Sequence, residues 1–346
     1  MRNSSLTDRL KEFARSVGFD LAGTCPAVTP EGIHHLFEWL DSGFAGSMRY
    51  IDDRRDAYAH PGGVLAGVKS LLMLGTNYAT ADHEDLPDGF GRVSNYSWGE
   101  GDYHDLIHRR LKQVVRWLGE TVAGSQSRGV VDTAPLLERD FARLAGLGWV
   151  GKNTMLINRE AGSYFFLAAV LTDVELDYDD RFSADHCGTC TACLDQCPTD
   201  AFPKPYVLDA TRCISYLTIE HRESIDHGLR TGIGDWLFGC DVCQQVCPWN
   251  RKSEPTDEPV FQPLETMRPV DLCELFALSD ESFRTRFRKT PLWRAKRKLI
   301  LRNAAIVLGN QKFQPAVSVL QDGLSDEEPL IRDACRWALD AINECD

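Results

Sequence analysis

Apolar positions along the first 180 residues follow two rhythms. Leu6, Leu10, Phe13 and Val17 recur at helical spacing and predict a helix over 6–17. The same spacing predicts helices over 31–40, 103–123 and 135–146. The compact apolar runs Ser70–Leu74, Gly129–Val131 and Tyr164–Leu171 predict strands. Residues 52–63 and 80–101 are polar, rich in Gly, Asp and Asn, and predict loops. Long loops in a compact domain often carry function. Residues 1–180 therefore predict one mixed α/β domain.

The rhythm then changes twice. Residues 181–255 have little apolar periodicity, so whatever their cysteines bind must organise them. The stretch SEPTDEPVFQP predicts a polar, Pro-containing linker, and from 264 to 346 the pattern is helical. RNAAIVLGN, beginning at Arg302, resembles RDACRWALD, beginning at Arg332. That offset, with DEEPLIRDACRWALDAI around the second copy, predicts stacked helix pairs of HEAT type. The fold class expected is α+β and multi-domain, in three parts: 1–180, 181–255 and 264–346.

With 43% hydrophobic residues among 346, the chain can build real cores. Its net charge of −13 disfavours attraction to nucleic acid through overall charge, which gives any local basic patch meaning. The N-terminal helix lacks the apolar core of a signal peptide. The longest apolar run, Tyr164–Leu171, is too short to span a bilayer. A soluble, cytoplasmic, monomeric protein with no membrane partner is expected.

Twelve cysteines without an export signal argue against a disulfide scaffold. Cys335 lies on an apolar helix face and is expected to be buried. Cys25, Cys273 and Cys345 suggest no role. The other eight lie between Cys187 and Cys247. Cys187-x2-Cys190-x2-Cys193-x3-Cys197-Pro198 is the bacterial ferredoxin pattern, in which three thiolates wrap one cubane and the fourth crosses to another. A second run, Cys240-x2-Cys243-x3-Cys247-Pro248, is one cysteine short, and Cys213 completes it. Cluster one then takes Cys187, Cys190, Cys193 and Cys247; cluster two takes Cys197, Cys213, Cys240 and Cys243. The alternative is two structural Cys₄ zinc sites, which usually pair C-x2-C knuckles. Two neighbouring [4Fe-4S] clusters suit either an electron carrier or a redox enzyme with its own wire.

The stretch GLGWVGKNT, Gly146–Thr154, fits G-x-G-x-x-G and nearly fits a Walker A loop. Both need a strand before the glycines, whereas PLLERDFARLA predicts a helix, so the glycines are expected to close it. Upstream, Asp132 stands at the end of an apolar strand. It reads as the N-cap of the following helix, or as a carboxyl where α/β proteins place chemistry. Burial by a cofactor would raise its pKa.

These blocks carry a family resemblance. SNYSWGEGDYHDLIHRRLK, VDTAPLLERDFARLAGLGWVGKNTMLINREAGSYFFL, the two-cluster segment, RCISYLTIEHR and CPWN cover most of residues 92–250. Together they resemble epoxyqueuosine reductases, which are related to reductive dehalogenases. The resemblance implies a nitroreductase-like cobalamin-binding domain, a ferredoxin-like two-cluster module and a HEAT-like C-terminal region. It implies reduction of epoxyqueuosine to queuosine at the wobble position of tRNA, the epoxide oxygen leaving as water. Asp132 matches the family's proton donor. Electrons would pass through the clusters to cobalamin from an external one-electron donor such as flavodoxin or ferredoxin. Arg54 or Arg55, Ser94, Lys152, Asn153, Leu156, Asn158, Ser215 and Tyr216, with Asp132, are the implied cobalamin contacts. The chain reads YSWGEGDYH where relatives often read YALGRDYH, so that loop's contacts are its own. Without a D-x-H-x-x-G motif, no protein histidine need ligate cobalt from below.

Such a substrate needs a cationic surface. RTRFRKTPLWRAKRKLILR, Arg284–Arg302, holds nine Lys or Arg and no acid, a density that supplies phosphate contacts. Lys289, Arg294, Lys296, Arg297 and Lys298, with His221 and Arg222, are the expected tRNA contacts; a merely solvated face is the alternative. Trp293 is expected to anchor the strip to the core. A dehalogenase-like enzyme would not need the strip. A ferredoxin-type carrier leaves Asp132 without a task, and a HEAT scaffold leaves the cysteines unexplained.

Overall fold

The computed structural model describes residues 4–81 and 83–344. Cys345 lies outside them. Near the N-terminus stands a four-stranded antiparallel sheet. Its strands are β1 (Leu21–Pro26), β2 (Ser70–Asn77), β3 (Ser127–Val130) and β4 (Phe165–Thr172), in the order β1-β2-β4-β3. Strand side chains alternate between faces, and here both faces are covered. Leu72, Leu74, Ala168 and Val170 pack with Leu10, Ala14, Ile107, Leu111 and Val114 of helices α1 (Leu6–Ser16) and α2 (Tyr103–Thr121). Leu71, Met73, Ala169 and Leu171 pack with Phe141 and Ala142 of helix α3 (Glu138–Leu144). Two-sided burial explains why β2 and β4 read as unbroken apolar runs.

The expected helices and strands are present with shifted ends, and β1 is an addition. Its sequence, LAGTCP, is poor in branched residues, and its pairing with β2 decides its state. Residues 80–101 are not all loop. Phe90–Val93 is a strand, pairing in parallel with Trp236–Phe238 and antiparallel with Val270–Asp271. The linker is no free tether either. Phe261 is buried in the first core, Thr256 N donates to Ala79 O at 2.7 Å, and Arg110 pairs with Glu258.

A second core joins Val93 and Trp98 to residues between 210 and 238 and to the C-terminal helices. Helices α4 (Lys296–Asn310) and α5 (Val317–Gly323) pack on α6 (Pro329–Asn343), which carries Cys335, fully buried. The two self-similar segments lie on α4 and α6 and face each other. Arg302 ends the basic strip but is no surface cation. It is 1% exposed, and its guanidinium donates to the carbonyls of Leu217, His221 and Glu223. Asn303 beside it donates to Thr218 O and Leu237 O, both at 2.9 Å. This buried pair ties α4 to the helix Ile214–Ile219. Among the described residues no helix is long and apolar enough to cross a membrane.

Arg302→Ala should leave three carbonyls without donors and destabilise the fold by about 3 kcal/mol. Equilibrium denaturation measures it; a change under about 0.5 kcal/mol, the range of ordinary surface substitutions, would contradict the role.

Candidate active site and cysteine module

Helix α3 ends as its sequence predicts. Gly146 has φ 76°, and the amides of Gly146 and Leu147 turn back to Arg143 O and Ala142 O. The chain then makes a tight hairpin, Trp149–Val150 against Leu156–Ile157. A Cβ at Gly148 would fall 2.1 Å from Ile157 O, so only glycine fits there. No nucleotide loop results, because a helix precedes the glycines.

The residues after Gly151 grip the cysteine module. Lys152 Nζ donates to Gly188 O and Cys190 O at 2.7 and 2.9 Å. The buried Asn153 side chain donates to Cys243 O at 3.1 Å. Leu156 is a core residue, and Asn158 bonds Leu147 O and the amides of Glu160 and Ala161. Of these four expected corrin contacts, Lys152 and Asn153 bind the cysteine loops through their side chains, Leu156 packs in the core and Asn158 bonds within its own turn and to Leu147. Arg55 is also turned away, paired with Asp41 and Asp52. It is Arg54 that reaches toward Asp132, donating to Thr133 O at 2.8 Å. Ser94 is buried, its amide bonded to Phe238 O.

The short helices Ala192–Asp195 and Val242–Gln245, one from each cysteine run, pack together. Cys187, Cys190, Cys193 and Cys247 line one cavity of about 250 Å³, with Ile157, His186 and Trp249 beside them. Among the described residues no three His, Cys, Asp or Glu side chains converge tightly enough to hold one metal ion. The thiols instead ring a volume. Burial pushes the Cys193 thiol up to about 11, and the charges of Cys187 and Cys247 add to it. Burial also raises Cys213, Cys240 and Cys243; the charge of Cys213 acts on both of the others, and that of Cys197 on Cys213 and Cys243. The amides of Tyr216 and Ser215 oppose the shift at Cys213 by donating to its sulfur. Tyr216 is buried, and its hydroxyl accepts from Ser47 N at 2.7 Å, fixing the 43–58 segment on this helix.

Asp132 is not a helix cap. Helix α3 begins six residues later, and the Asp132 backbone sits in the left-handed region at φ 59°. Such a conformation costs about 1–3 kcal/mol and clusters at functional sites. The carboxylate is 54% exposed. Tyr103 Oη donates to Oδ2 at 2.8 Å, and His104 Nε2 lies 3.1 Å from the same oxygen. The amide of Asp132 donates to Glu138 Oε1 at 3.0 Å. Behind His104, Nδ1 is 2.9 Å from Asp102 Oδ1, and Arg294 pairs with both Asp102 oxygens at 3.2 Å. Burial works against ionisation of Asp132, yet the bonds from His104 and Tyr103 hold its carboxyl below the usual range. Two donors, His104 and Tyr103, thus outweigh burial at this carboxylate. Glu138 carries the rise instead, pushed up to about 8 by burial and by the charge of Asp132.

Tyr103, His104, Glu138 and Arg294 were not foreseen as partners of Asp132. Only the adjacency of DYH in one block hinted at the first two. Arg294 was expected on tRNA, but its guanidinium turns inward to Asp102 and Tyr103. Arg297 likewise bonds Leu278 O and Asp326. His221 faces Ser224 O at 3.1 Å. Arg222, Lys289 and Lys296 are exposed, and Lys298 is half-buried. Lys296 sits over the Trp293 ring at 3.6 Å; burial and the charges of Arg222 and Arg284 lower its pKa.

A family model described as Epoxyqueuosine reductase QueG, DUF1730 matches residues 59–133, and one for a 4Fe-4S double cluster binding domain matches 186–250. The epoxyqueuosine reductase of Pseudomonas aeruginosa is 41% identical over 340 residues, 96% of this chain and 94% of that protein. The chain belongs to the epoxyqueuosine reductase family. It is therefore an oxidoreductase. The Escherichia coli epoxyqueuosine reductase is 36% identical, covering 97% of this chain and 89% of that one. A crystal structure of an epoxyqueuosine reductase with an epoxyqueuosine-modified tRNA-Tyr stem loop matches with a TM-score of 0.91 at 31% identity, over 97% of this chain and 90% of the other. A Bacillus subtilis epoxyqueuosine reductase with its catalytic aspartate loop swung out of the active site matches at 0.90 and 31%, over the same shares.

Glu138 gives a pH prediction. Its folded value, about 8, exceeds its ordinary 4.5, so the folded state holds this proton more tightly. The resulting stabilisation is complete below about pH 4.5 and is lost as pH rises through 8. Denaturation midpoints of the parent should thus fall between pH 5 and 8 relative to Glu138→Gln; parallel curves would contradict the shift.

Proposed function

We propose that the chain reduces epoxyqueuosine to queuosine at the wobble position of tRNA, with Asp132 as proton donor, cobalamin as cofactor and two [4Fe-4S] clusters as the electron path. The observation that carries this reading is Asp132 itself: a strained, half-exposed carboxylate held by two donors, Tyr103 and His104. The swung-out aspartate loop of the Bacillus subtilis enzyme supports a loop that moves with the reaction.

Cluster one is assigned to Cys187, Cys190, Cys193 and Cys247, which share a cavity. Cluster two is assigned to Cys197, Cys213, Cys240 and Cys243; the charge of Cys213 acts on Cys240 and Cys243, and that of Cys197 on Cys213 and Cys243. Amide donors to Cys213 are what a cluster sulfur uses. The exposed side of Asp132 is the place assigned to the macrocycle. Tyr50, 48% exposed, is close enough to feel the charges of Glu220, Asp132 and Arg54, and Tyr58 lies within reach of it. Tyr50, Tyr58 and Arg54 would hold cobalamin there, with Ser215 and Tyr216 toward Cys213. When bound, it supplies the electrons that open the epoxide. Asp132 gives its proton to the epoxide oxygen as the carbon–oxygen bond breaks.

The stem-loop complex of the family member supports tRNA as substrate. Exposed Arg222, Lys289 and Lys296, with Lys298, are the cations assigned to phosphates. His221, Arg294 and Arg297 are assigned to holding the fold. The sheet domain is read as nitroreductase-like, the stacked helices α4 and α6 as HEAT-like, and the protein as a cytoplasmic monomer served by a flavodoxin or ferredoxin.

Anaerobically purified protein should hold about eight irons; two zinc ions without iron would overturn the clusters. Asp132→Asn should keep iron and stem-loop binding but slow turnover by at least about 100-fold. Mass spectrometry of tRNA from cells lacking the protein should show accumulated epoxyqueuosine, and normal queuosine would refute the function.

A further inference from the structure

Removing an epoxide oxygen as water breaks two carbon–oxygen bonds, forms one carbon–carbon double bond and consumes two electrons and two protons. The electrons come from the external donor through the clusters. A single carboxyl holds one proton. Asp132 must therefore be reprotonated within each turnover, or a second acid must act. This argument rests on Asp132 as the donor.

Three side chains surround Asp132. Glu138 bonds its backbone amide, not its carboxylate. Tyr103 donates to the carboxylate, but burial and the charge of Asp132 push its hydroxyl far above neutrality. His104 remains. Its Nε2 faces Asp132 Oδ2 at 3.1 Å. Its Nδ1 faces an acceptor, Asp102 Oδ1, at 2.9 Å, and a donor, Arg294 Nη2, at the same edge. A protonated Nδ1 donates to Asp102; a bare Nδ1 accepts from Arg294. A histidine with one fixed tautomer needs only one such partner. This ring has a partner for each protonation state.

The ring itself reaches water at one edge, its side chain being 15% exposed. His108, one helical turn along α2, is exposed, and its ring centroid lies 6.4 Å from that of His104. The groups facing His104 are thus Asp102, Asp132, Arg294, Tyr103, Glu138 and His108. Burial works against its charge, while Asp102 and Asp132 hold it above the ordinary histidine value.

We propose that His104 is a proton relay, taking a proton from solvent past His108 and passing it from Nε2 to Asp132 Oδ2. Asp102 and Arg294 position the ring. The proton returned to Asp132 completes the water that leaves.

The test uses the full chain with its cofactors. His104→Ala should bind the epoxyqueuosine stem loop normally and turn over about 100-fold more slowly. Added imidazole at tens of millimolar should restore at least about tenfold of that loss, through the space the ring vacates. His104→Gln keeps much of the volume and one hydrogen bond without a titrating group, so it should be as slow as the alanine variant. In nitrogen-15 spectra of the same holoprotein, the His104 midpoint should fall on Asp132→Asn. Parent-like turnover in either His104 variant, or a loss that imidazole leaves unchanged, overturns the relay. An unmoved His104 midpoint does the same. Full turnover in Asp132→Asn overturns the donor reading, and the relay with it; an inactive Asp132→Asn beside a fast His104→Gln sinks the relay alone.

Discussion

Thiols withdrawn from water are the constraint on which the rest of this molecule depends. Burial raises Cys193, Cys213, Cys240 and Cys243 above the ordinary thiol value, so thiolates at these positions need positive charge beside them. Iron supplies such charge. The chain supplies the geometry, and much of its architecture serves that end. Lys152 and Asn153 hold the cysteine loops by their carbonyls. Tyr216 locks the Cys213 helix to the 43–58 segment, and Arg302 holds the far end of that helix from the C-terminal core.

The site at Asp132 is built by convergence over long sequence distances. Tyr103 and His104 come from the start of α2, Glu138 from α3 and Arg294 from just before α4. Arg294 is 192 residues from its partner Asp102. An ion pair of that span makes the C-terminal region part of the Asp132 site. It also places the Arg222 and Lys296 patch near the carboxylate: Arg222 donates to Arg294 O at 3.0 Å. The surface assigned to RNA and the proposed proton chemistry thus share one residue's backbone and side chain.

Strain and charge oppose each other at Asp132. The left-handed backbone costs energy, and the hydrogen bonds from Tyr103, His104 and its own amide to Glu138 offset it. The bonds from Tyr103 and His104 favour the carboxylate, whereas a proton donor must carry a proton when it acts. In the proposed chemistry the neighbours therefore matter as much as the acid, because whichever of them holds the proton sets when Asp132 can give it.

The sequence by itself determined what depends on local spacing. Cys-x2-Cys-x2-Cys-x3-Cys-Pro marks a cluster module because one short segment must wrap one object. The two-sided burial of β2 and β4 was legible as apolar runs, and the end of α3 as glycines. Local spacing misled where a side chain's partner lies far along the chain. Lys152, Asn153 and Asn158 looked like a cofactor fringe but satisfy carbonyls of the hairpin and the cysteine runs. Arg294, Arg297 and Arg302 looked like one basic face but turn into the fold. Only tertiary structure decided these, since a buried donor goes to whichever acceptor packing brings within about 3 Å. That partner is not written in neighbouring residues.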